Sequence, residues 1–399
     1  MPSKIVLFAN TDWYLYNFRL SLARALRSAG HEVLLLSPPG EYGARLKALG
    51  FRWLPVAMRR RSLNPLVEIA LIWSLVRLFR DEAPDLVHGF TIKCALYGAL
   101  AARLAAVRAR ISSVTGLGYV FISNDARAKL LRGPLRAALR FALGGKKARL
   151  IVQNETDLRF FLDTGVATAE RTHLIPGSGV DCKRFAPRKG ARRPGPLRVL
   201  LASRLLSDKG IGEYVRAAQA LKAAGRNIEF LLAGDPDPGN PASIAPEIID
   251  GWRAGGILSC LGHVEDMAAL YADVDVVVLP SYREGLSKTL IEAAACGKAL
   301  ITTDAPGCRD VVVHDHSGLL VPVRQWEPLE AAIARLDDDR ALLRAVGAEA
   351  RRQALERFDD TIILEMTLGV YAEAMGSGAR PTPSEDDRAI GLPCELRDP

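Results

Sequence analysis

The chain has no run of about 20 uninterrupted apolar residues, the length needed to cross a bilayer. Its most apolar stretch, Leu63 to Phe79, is broken by Pro65 and Glu68 and contains Arg77, with Arg80 just beyond. A membrane-spanning helix is thereby excluded. The six cysteines (Cys94, Cys182, Cys260, Cys296, Cys308, Cys394) include no Cys-x-x-Cys pair, and the start Met-Pro-Ser-Lys-Ile-Val-Leu-Phe lacks the pattern of a signal peptide. Reduced thiols and cytoplasmic residence are the expectation. The loop after the first apolar run, Asn10 to Asn17, lacks the Gly-x-Gly-x-x-Gly of a dinucleotide fold, which argues against a dehydrogenase. No repeat recurs at a fixed period. The pairs Asp235-Pro-Asp237 and Asp273-Val-Asp275 fit turn and strand positions, so no metal is expected.

What is present is a globular composition, 49% hydrophobic and 25% charged, in a 399-residue chain too long for one ordinary domain. The net charge of +8 conceals a division. Residues 1–150 hold 24 Lys and Arg against 8 Asp and Glu, or +16, leaving 29 against 37, or −8, for the remainder. Such asymmetry points to an anionic partner for the first half, either nucleic acid or an acidic membrane surface. No nucleic-acid motif accompanies it, and no nucleic-acid partner is expected. On a helix, Arg132, Arg136 and Arg140 form a cationic stripe beside Leu131, Leu135 and Leu139, and with Lys146 and Lys147 they are the candidates for membrane contact. Leu63 to Phe79 reads as a helix packed on a sheet. The alternative is a helix lying on a membrane, because Arg59, Arg60 and Arg61 precede it and Trp73 sits within it.

Along the chain, apolar runs alternate with amphipathic segments, the pattern of parallel sheets whose ligands bind at the carboxyl ends of the strands. Ile5 to Ala9 and Val33 to Leu36 read as strands around a helix from Arg19 to Ser28. The loop Asn10 to Asn17, the segment His88 to Lys93 and the turn Gly116-Leu-Gly118-Tyr119 all open on that edge. Asn17, Arg19, His88, Lys93, Gly116, Gly118 and Tyr119 are therefore candidates for the acceptor side of a cleft. For His88 the competing reading is a hydrogen-bonded core residue, and for Lys93 a solvated one. A Lys-, Arg-, Pro- and Gly-rich linker, Lys183 to Pro196, leads to a second strand-helix series. Residues 1–185 are read as one domain, 197–357 as another, 358–375 as a helix returning to the first, and 376–399 as a disordered tail.

Two stretches of the second domain carry chemistry. After the apolar run Val276 to Leu279 comes Pro-Ser-Tyr-Arg-Glu-Gly-Leu-Ser-Lys-Thr-Leu-Ile-Glu, residues 280–292, a strand, turn and helix. Its helix N-terminus suits a phosphate, and Gly285 admits a ligand close to the backbone. Glu284 and Glu292, eight residues apart, are read as lying on nearly one helical face, where carboxylates accept from sugar hydroxyls. The second stretch, Ser203-Arg204 to Lys209-Gly210, places two cations on a loop before a helix. Sugars flanking a diphosphate describe a nucleotide-sugar.

Glu-x7-Glu after a strand, preceded by this Arg and Lys, resembles the donor site of the retaining family 4 glycosyltransferases. The resemblance implies an α/β GT-B fold: two Rossmann-like doubly wound domains facing a central cleft, with a C-terminal helix crossing back to the first. It further implies that Arg204 and Lys209 bind the donor diphosphate and that Glu284 holds the donor sugar. Gly285, Leu286 and Ser287 would give N–H groups to phosphate, and Glu292 would hold the ribose. His263 and Val264 also fall in the donor site. Asn17-Phe-Arg19, Arg61-Ser-Leu-Asn-Pro65, Thr91-Ile-Lys93, Gly116 to Phe121, Gln153-Asn-Glu155 and Gly307-Cys-Arg-Asp310 are similar to the bacterial subgroup that extends undecaprenyl-diphosphate-linked sugars. That subgroup takes mostly UDP-sugars, transfers a hexose or N-acetylhexosamine, and works on the inner face of the cytoplasmic membrane. This chain departs from many relatives at His88-Gly-Phe and Asn10-Thr-Asp12. Two other functions fit the same architecture: a UDP-sugar epimerase and a non-catalytic scaffold that binds nucleotide-sugar or membrane.

Overall fold

The computed structural model describes residues 2–376 apart from 60, 61, 63, 117–120, 122–125 and 189–194, and for 126–129 the backbone alone. Gly118, Tyr119, the centre of the linker and the tail from 377 onward lie outside the described residues. The described residues build two all-parallel sheets. The first holds seven strands, β1 (Lys4–Phe8), β2 (Glu32–Ser37), β3 (Arg52–Pro55), β4 (Leu86–Phe90), β5 (Ala109–Val114), β6 (Ala148–Val152) and β7 (Thr172–Leu174), in the order β3-β2-β1-β4-β5-β6-β7. The second holds β8 (Leu197–Ala202), β9 (Ile228–Ala233), β10 (Ser259–Gly262), β11 (Val276–Leu279), β12 (Ala299–Thr303) and β13 (Leu319–Val321), in the order β10-β9-β8-β11-β12-β13. Helices cover both faces of each, which is why Ile5 to Phe8 and Val276 to Leu279 are apolar without alternation and fully buried.

In the first half the helices are α1 (Asp12–Phe18), α2 (Leu20–Ser28), α3 (Tyr42–Ala48), α4 (Pro65–Glu82), α5 (Thr91–Leu104), α6 (Ala126–Leu143) and α7 (Glu155–Asp163). The segment expected as the loop Asn10 to Asn17 is helical from Asp12. Thr11 Oγ1 accepts from the N–H of Tyr14 and caps it, while the Asp12 carboxylate accepts from the N–H groups of Tyr42 and Gly43 and ties the helix to the next loop. That capping signal was legible in Thr11-Asp12. The second half carries α8 (Ile211–Ala223), α9 (Pro246–Ala254), α10 (Met267–Ala272), α11 (Lys288–Ala295), α12 (Glu327–Asp338) and α13 (Arg340–Gln353).

The last helix, α14 (Asp360–Met375), returns to the first sheet, where Ile363, Val370, Tyr371 and Ala374 join the core beneath β1, β4 and β5. The crossing is fixed backbone to backbone: Val180 N–H donates to Phe358 O and Asp360 N–H to Val180 O, at 2.9 and 3.0 Å. His88 completes it. One ring nitrogen lies 2.6 Å from Tyr371 Oη and the other 2.7 Å from Ser113 Oγ, so this histidine is a core residue joining sheet to returning helix and has no free nitrogen for substrate. The choice left by the sequence resolves to the structural reading, because the returning helix covers this face of β4 and brings Tyr371 to His88.

Burial, aided by the nearby Arg19 charge, holds the His88 imidazole well below its ordinary value. The unfolded chain takes up a proton below about pH 6.5 that the folded state refuses, so stability rises with pH through that window and falls on acidification. The melting temperature of the wild type is expected to fall from about pH 7.5 to about pH 5.5 more steeply than that of His88→Gln. Parallel slopes would show that His88 does not set this dependence.

Candidate active site

The carboxyl ends of β8 and β11 place two loops against each other. Tyr282 N–H donates to Asp208 O at 2.9 Å, tying Ser203–Gly210 to Pro280–Ser287. A third loop, after β12, closes on the second: Glu284 N–H donates to Pro306 O and Ser287 N–H to Gly307 O. Gly307 is required there. Its φ is +78°, and a Cβ would sit 2.4 Å from the Glu284 carbonyl oxygen.

This packing brings Lys209 Nζ to 2.5 Å from Glu284 Oε1, with both side chains largely removed from solvent. Arg204 is half exposed and donates to Asp237 Oδ2 at 2.7 Å. Each cation therefore already holds a carboxylate. Glu284 lies in the loop four residues before α11, since Ser287 is the non-helical cap of that helix, its Oγ accepting from Leu290 N–H. The expected common helical face for Glu284 and Glu292 is accordingly wrong; loop packing, not helical periodicity, sets their relation. Ser287 is also not a free phosphate donor, because its N–H is engaged by Gly307 O. Glu292 sits within α11, where Tyr271 Oη donates to it at 3.4 Å and Lys288 Nζ lies 3.9 Å away. Burial raises the Glu292 carboxyl and lowers the Lys288 ammonium, each opposed by the charge of the other. Leu286 packs partly buried against the core, and exposed His263 and half-buried Val264 follow β10 on the same sheet edge.

Across the cleft the two halves touch at the same loop. Asn154 Nδ2 donates to Gly285 O at 2.7 Å, and Arg283 donates to the fully buried Asp157 at 2.5 Å. A Cβ on Gly285 would stand 2.0 Å from Thr115 O. Gly285 thus admits the backbone of the facing half, where the sequence suggested room for a ligand. Lys288 Nζ donates to Asn17 O at 2.6 Å and lies over the Phe18 ring.

On the first sheet, the remaining candidates divide. Arg19 is buried, stacked over Phe90 and Tyr14, and donates to Tyr14 Oη. The Asn17 side chain turns back to Trp13 O. Gly116 follows Thr115 at the interdomain contact with φ +141°. Lys93 is neither solvated nor available: its ammonium donates to Arg59 O, Ser62 O and Glu68 Oε1, using all three of its protons. Among the membrane candidates, Arg132 and Arg136 are half-buried, while Lys146 and Lys147 are exposed. Arg140 is exposed too, but donates to the Thr164 and Gly165 carbonyls and so braces a turn. Among the described residues no three His, Cys, Asp or Glu side chains gather as a metal site, and no helix is long and apolar enough to cross a membrane.

Sequence reasoning missed Asp237, Lys288 and the Arg283–Asp157 pair. Asp235-Pro-Asp237 was noticed as a turn, yet its partner Arg204 lies 33 positions away and only the sheet order brings them together.

Residues 4–154 match the family described as "Glycosyl transferase 4-like", and residues 196–339 match "Glycosyl transferases group 1". The chain is 28% identical over 369 residues to the N,N'-diacetylbacillosaminyl-diphospho-undecaprenol alpha-1,3-N-acetylgalactosaminyltransferase of Campylobacter jejuni, covering 90% of this chain and 95% of that one. It is 23% identical to the capsular polysaccharide biosynthesis glycosyltransferase CapM of Staphylococcus aureus, over 87% and 91%. A glycosyltransferase structure from Rickettsia africae shares the fold, with a TM-score of 0.76 and 18% identity over 94% of this chain and 100% of that one.

The contact at Gly285 yields a direct test. Gly285→Ala is expected to cost about 1–3 kcal/mol through overpacking and to push the halves apart, read as a lower melting temperature and a larger radius of gyration in small-angle scattering. An unchanged radius and melting temperature would show that the two loops do not meet in solution.

Proposed function

Since this chain belongs to the group 1 glycosyltransferases and is an enzyme with their GT-B fold, we propose that it is a retaining transferase acting on a lipid-linked glycan. It moves a hexose or N-acetylhexosamine from a UDP-sugar to an undecaprenyl-diphosphate-linked saccharide, at the inner face of the cytoplasmic membrane, in the assembly of a bacterial surface glycan. The acceptor class is supported by the Campylobacter relative, whose name states a diphospho-undecaprenol acceptor and which aligns along nearly its whole length.

The observation that carries the donor assignment is the Lys209–Glu284 pair beside the start of α11. A diphosphate is a stronger partner for Lys209 and Arg204 than the carboxylates that hold them, because it brings more charge and more acceptor oxygens. On donor entry the cations pass to the diphosphate. Glu284 and Asp237 are released, and Glu284 accepts from sugar hydroxyls while Glu292 accepts from the ribose. In the transfer step the bond between the sugar C1 and the β-phosphate oxygen breaks as the acceptor hydroxyl bonds to C1 from the same face. The hydroxyl proton passes to a β-phosphate oxygen, leaving UDP. Negative charge grows on that phosphate, and Arg204, Lys209 and the helix N-terminus meet it with a preset field, so this reading calls for no metal.

The test is transfer from a panel of UDP-, GDP- and ADP-sugars to a diphosphate-linked acceptor, with the product anomer read by NMR. One UDP-sugar is expected to react with retention, and Lys209→Ala is expected to lower kcat by about 10²–10³-fold. An inverted product, or full turnover in Lys209→Ala, would contradict the proposal.

A further inference from the structure

Helix α4, read from its sequence as packed on a sheet or as lying on a membrane, has two unlike faces. One face is core: Leu71, Leu75, Val76 and Phe79 are buried with β1, β2 and β4. The opposite face should be polar in a helix that meets only water. Instead it presents Leu66 at 77%, Ile69 at 51% and Trp73 at 53% exposure, spaced as neighbours on successive turns, and continues into Arg77 and Arg80. A single exposed leucine needs no explanation, but a contiguous apolar row ending in an indole and two arginines does.

Its position adds a second point. In a parallel sheet the helix N-termini lie at the carboxyl edges of the strands, the edge that opens on the cleft. Leu66 and Ile69 stand in the first turns of α4, and Leu130 and Leu131, also exposed, stand near the start of α6, with α5 between the two helices. The apolar row is therefore on the cleft rim of the basic half.

We propose that this outer face of α4, centred on Leu66, Ile69 and Trp73, is the surface that inserts into the interface of an anionic bilayer. The proposal rests on the lipid-linked acceptor reading and names the docking element that reading lacks. Apolar residues enter the acyl boundary, Trp73 sits at headgroup level, and Arg77 with the exposed Arg59 meets lipid phosphates. Charge selects this occupant over a second copy of the chain, since two copies meeting here would bring together halves of +16 each. It also moves the docking surface away from Arg132, Arg136 and Arg140.

The experiment compares wild type, Trp73→Phe, a Leu66→Ser, Ile69→Ser, Trp73→Ser triple variant, and Arg132→Glu. The vesicles are phosphatidylcholine with or without about a third phosphatidylglycerol. Wild type is expected to co-sediment with the anionic vesicles and to show a blue shift of tryptophan fluorescence that Trp73→Phe abolishes. The triple variant is expected to lose vesicle binding by about tenfold or more while keeping its turnover on a short-chain, water-soluble diphosphate acceptor. Vesicle binding retained in the triple variant, or lost only in Arg132→Glu, would overturn the proposal. So would a wild-type dimer in solution that the triple variant dissolves. Absence of turnover on the soluble acceptor in wild type would instead sink the functional reading, which vesicle binding does not address.

Discussion

Lys209 and Glu284 are 75 residues apart in sequence and 2.5 Å apart in space, and the strand order of the second sheet brings them together. β8 and β11 are neighbours in the sheet, so their carboxyl ends deliver both loops to one edge. The loop after β12 then holds Glu284 from behind through Pro306 and Gly307. A charged pair this far from water is favourable only while both members are matched, and an anionic ligand is the natural competitor for the cation. Both cations of this edge, Lys209 and Arg204, are thus held by carboxylates of the same chain, and the proposed diphosphate would compete for them.

The same loop sets the relation between the two halves. Gly285 lets Thr115 approach, Asn154 grips its carbonyl, and the neighbouring Arg283 reaches the buried Asp157. Burial raises the Asp157 carboxyl while Arg283 opposes that shift, so the pair is stable only with both partners in place. The Lys209–Glu284 pair and the interdomain contact at Gly285 therefore fall on adjacent residues of one short segment.

The two sheets were legible because parallel strands buried on both faces leave plain apolar runs, whereas the return of α14 to the first sheet was expected only from the family resemblance. The loops after β8 and β11 were legible as elements because a strand, a glycine turn and a helix start have local signatures. What sequence could not supply was pairing across distance. His88 looks alike whether it faces a cleft or Tyr371, and Lys93 reads as a cleft candidate or a solvated residue until the Arg59 and Ser62 carbonyls and Glu68 are seen to hold its ammonium. The loop reading of Asn10 to Asn17 failed for a different reason: the Thr11 cap was there to be read, but aromatic residues in Trp13 to Phe18 obscured a short helix. Arg140 carried a periodic signal that belonged to a turn brace, whereas the exposed apolar row of α4 was hidden within a stretch that also supplies core.

The central claim is that Lys209 exchanges Glu284 for the donor diphosphate, and calorimetric binding of UDP and of the UDP-sugar to Lys209→Ala and Glu284→Gln tests it most directly. Lys209→Ala should weaken both ligands, whereas Glu284→Gln should weaken the UDP-sugar and leave UDP as tight or tighter, because a competing carboxylate has been removed while a sugar contact is lost. Equal weakening of UDP and UDP-sugar by Glu284→Gln would show that the carboxylate supports the diphosphate site instead of competing for it, and the account would fail.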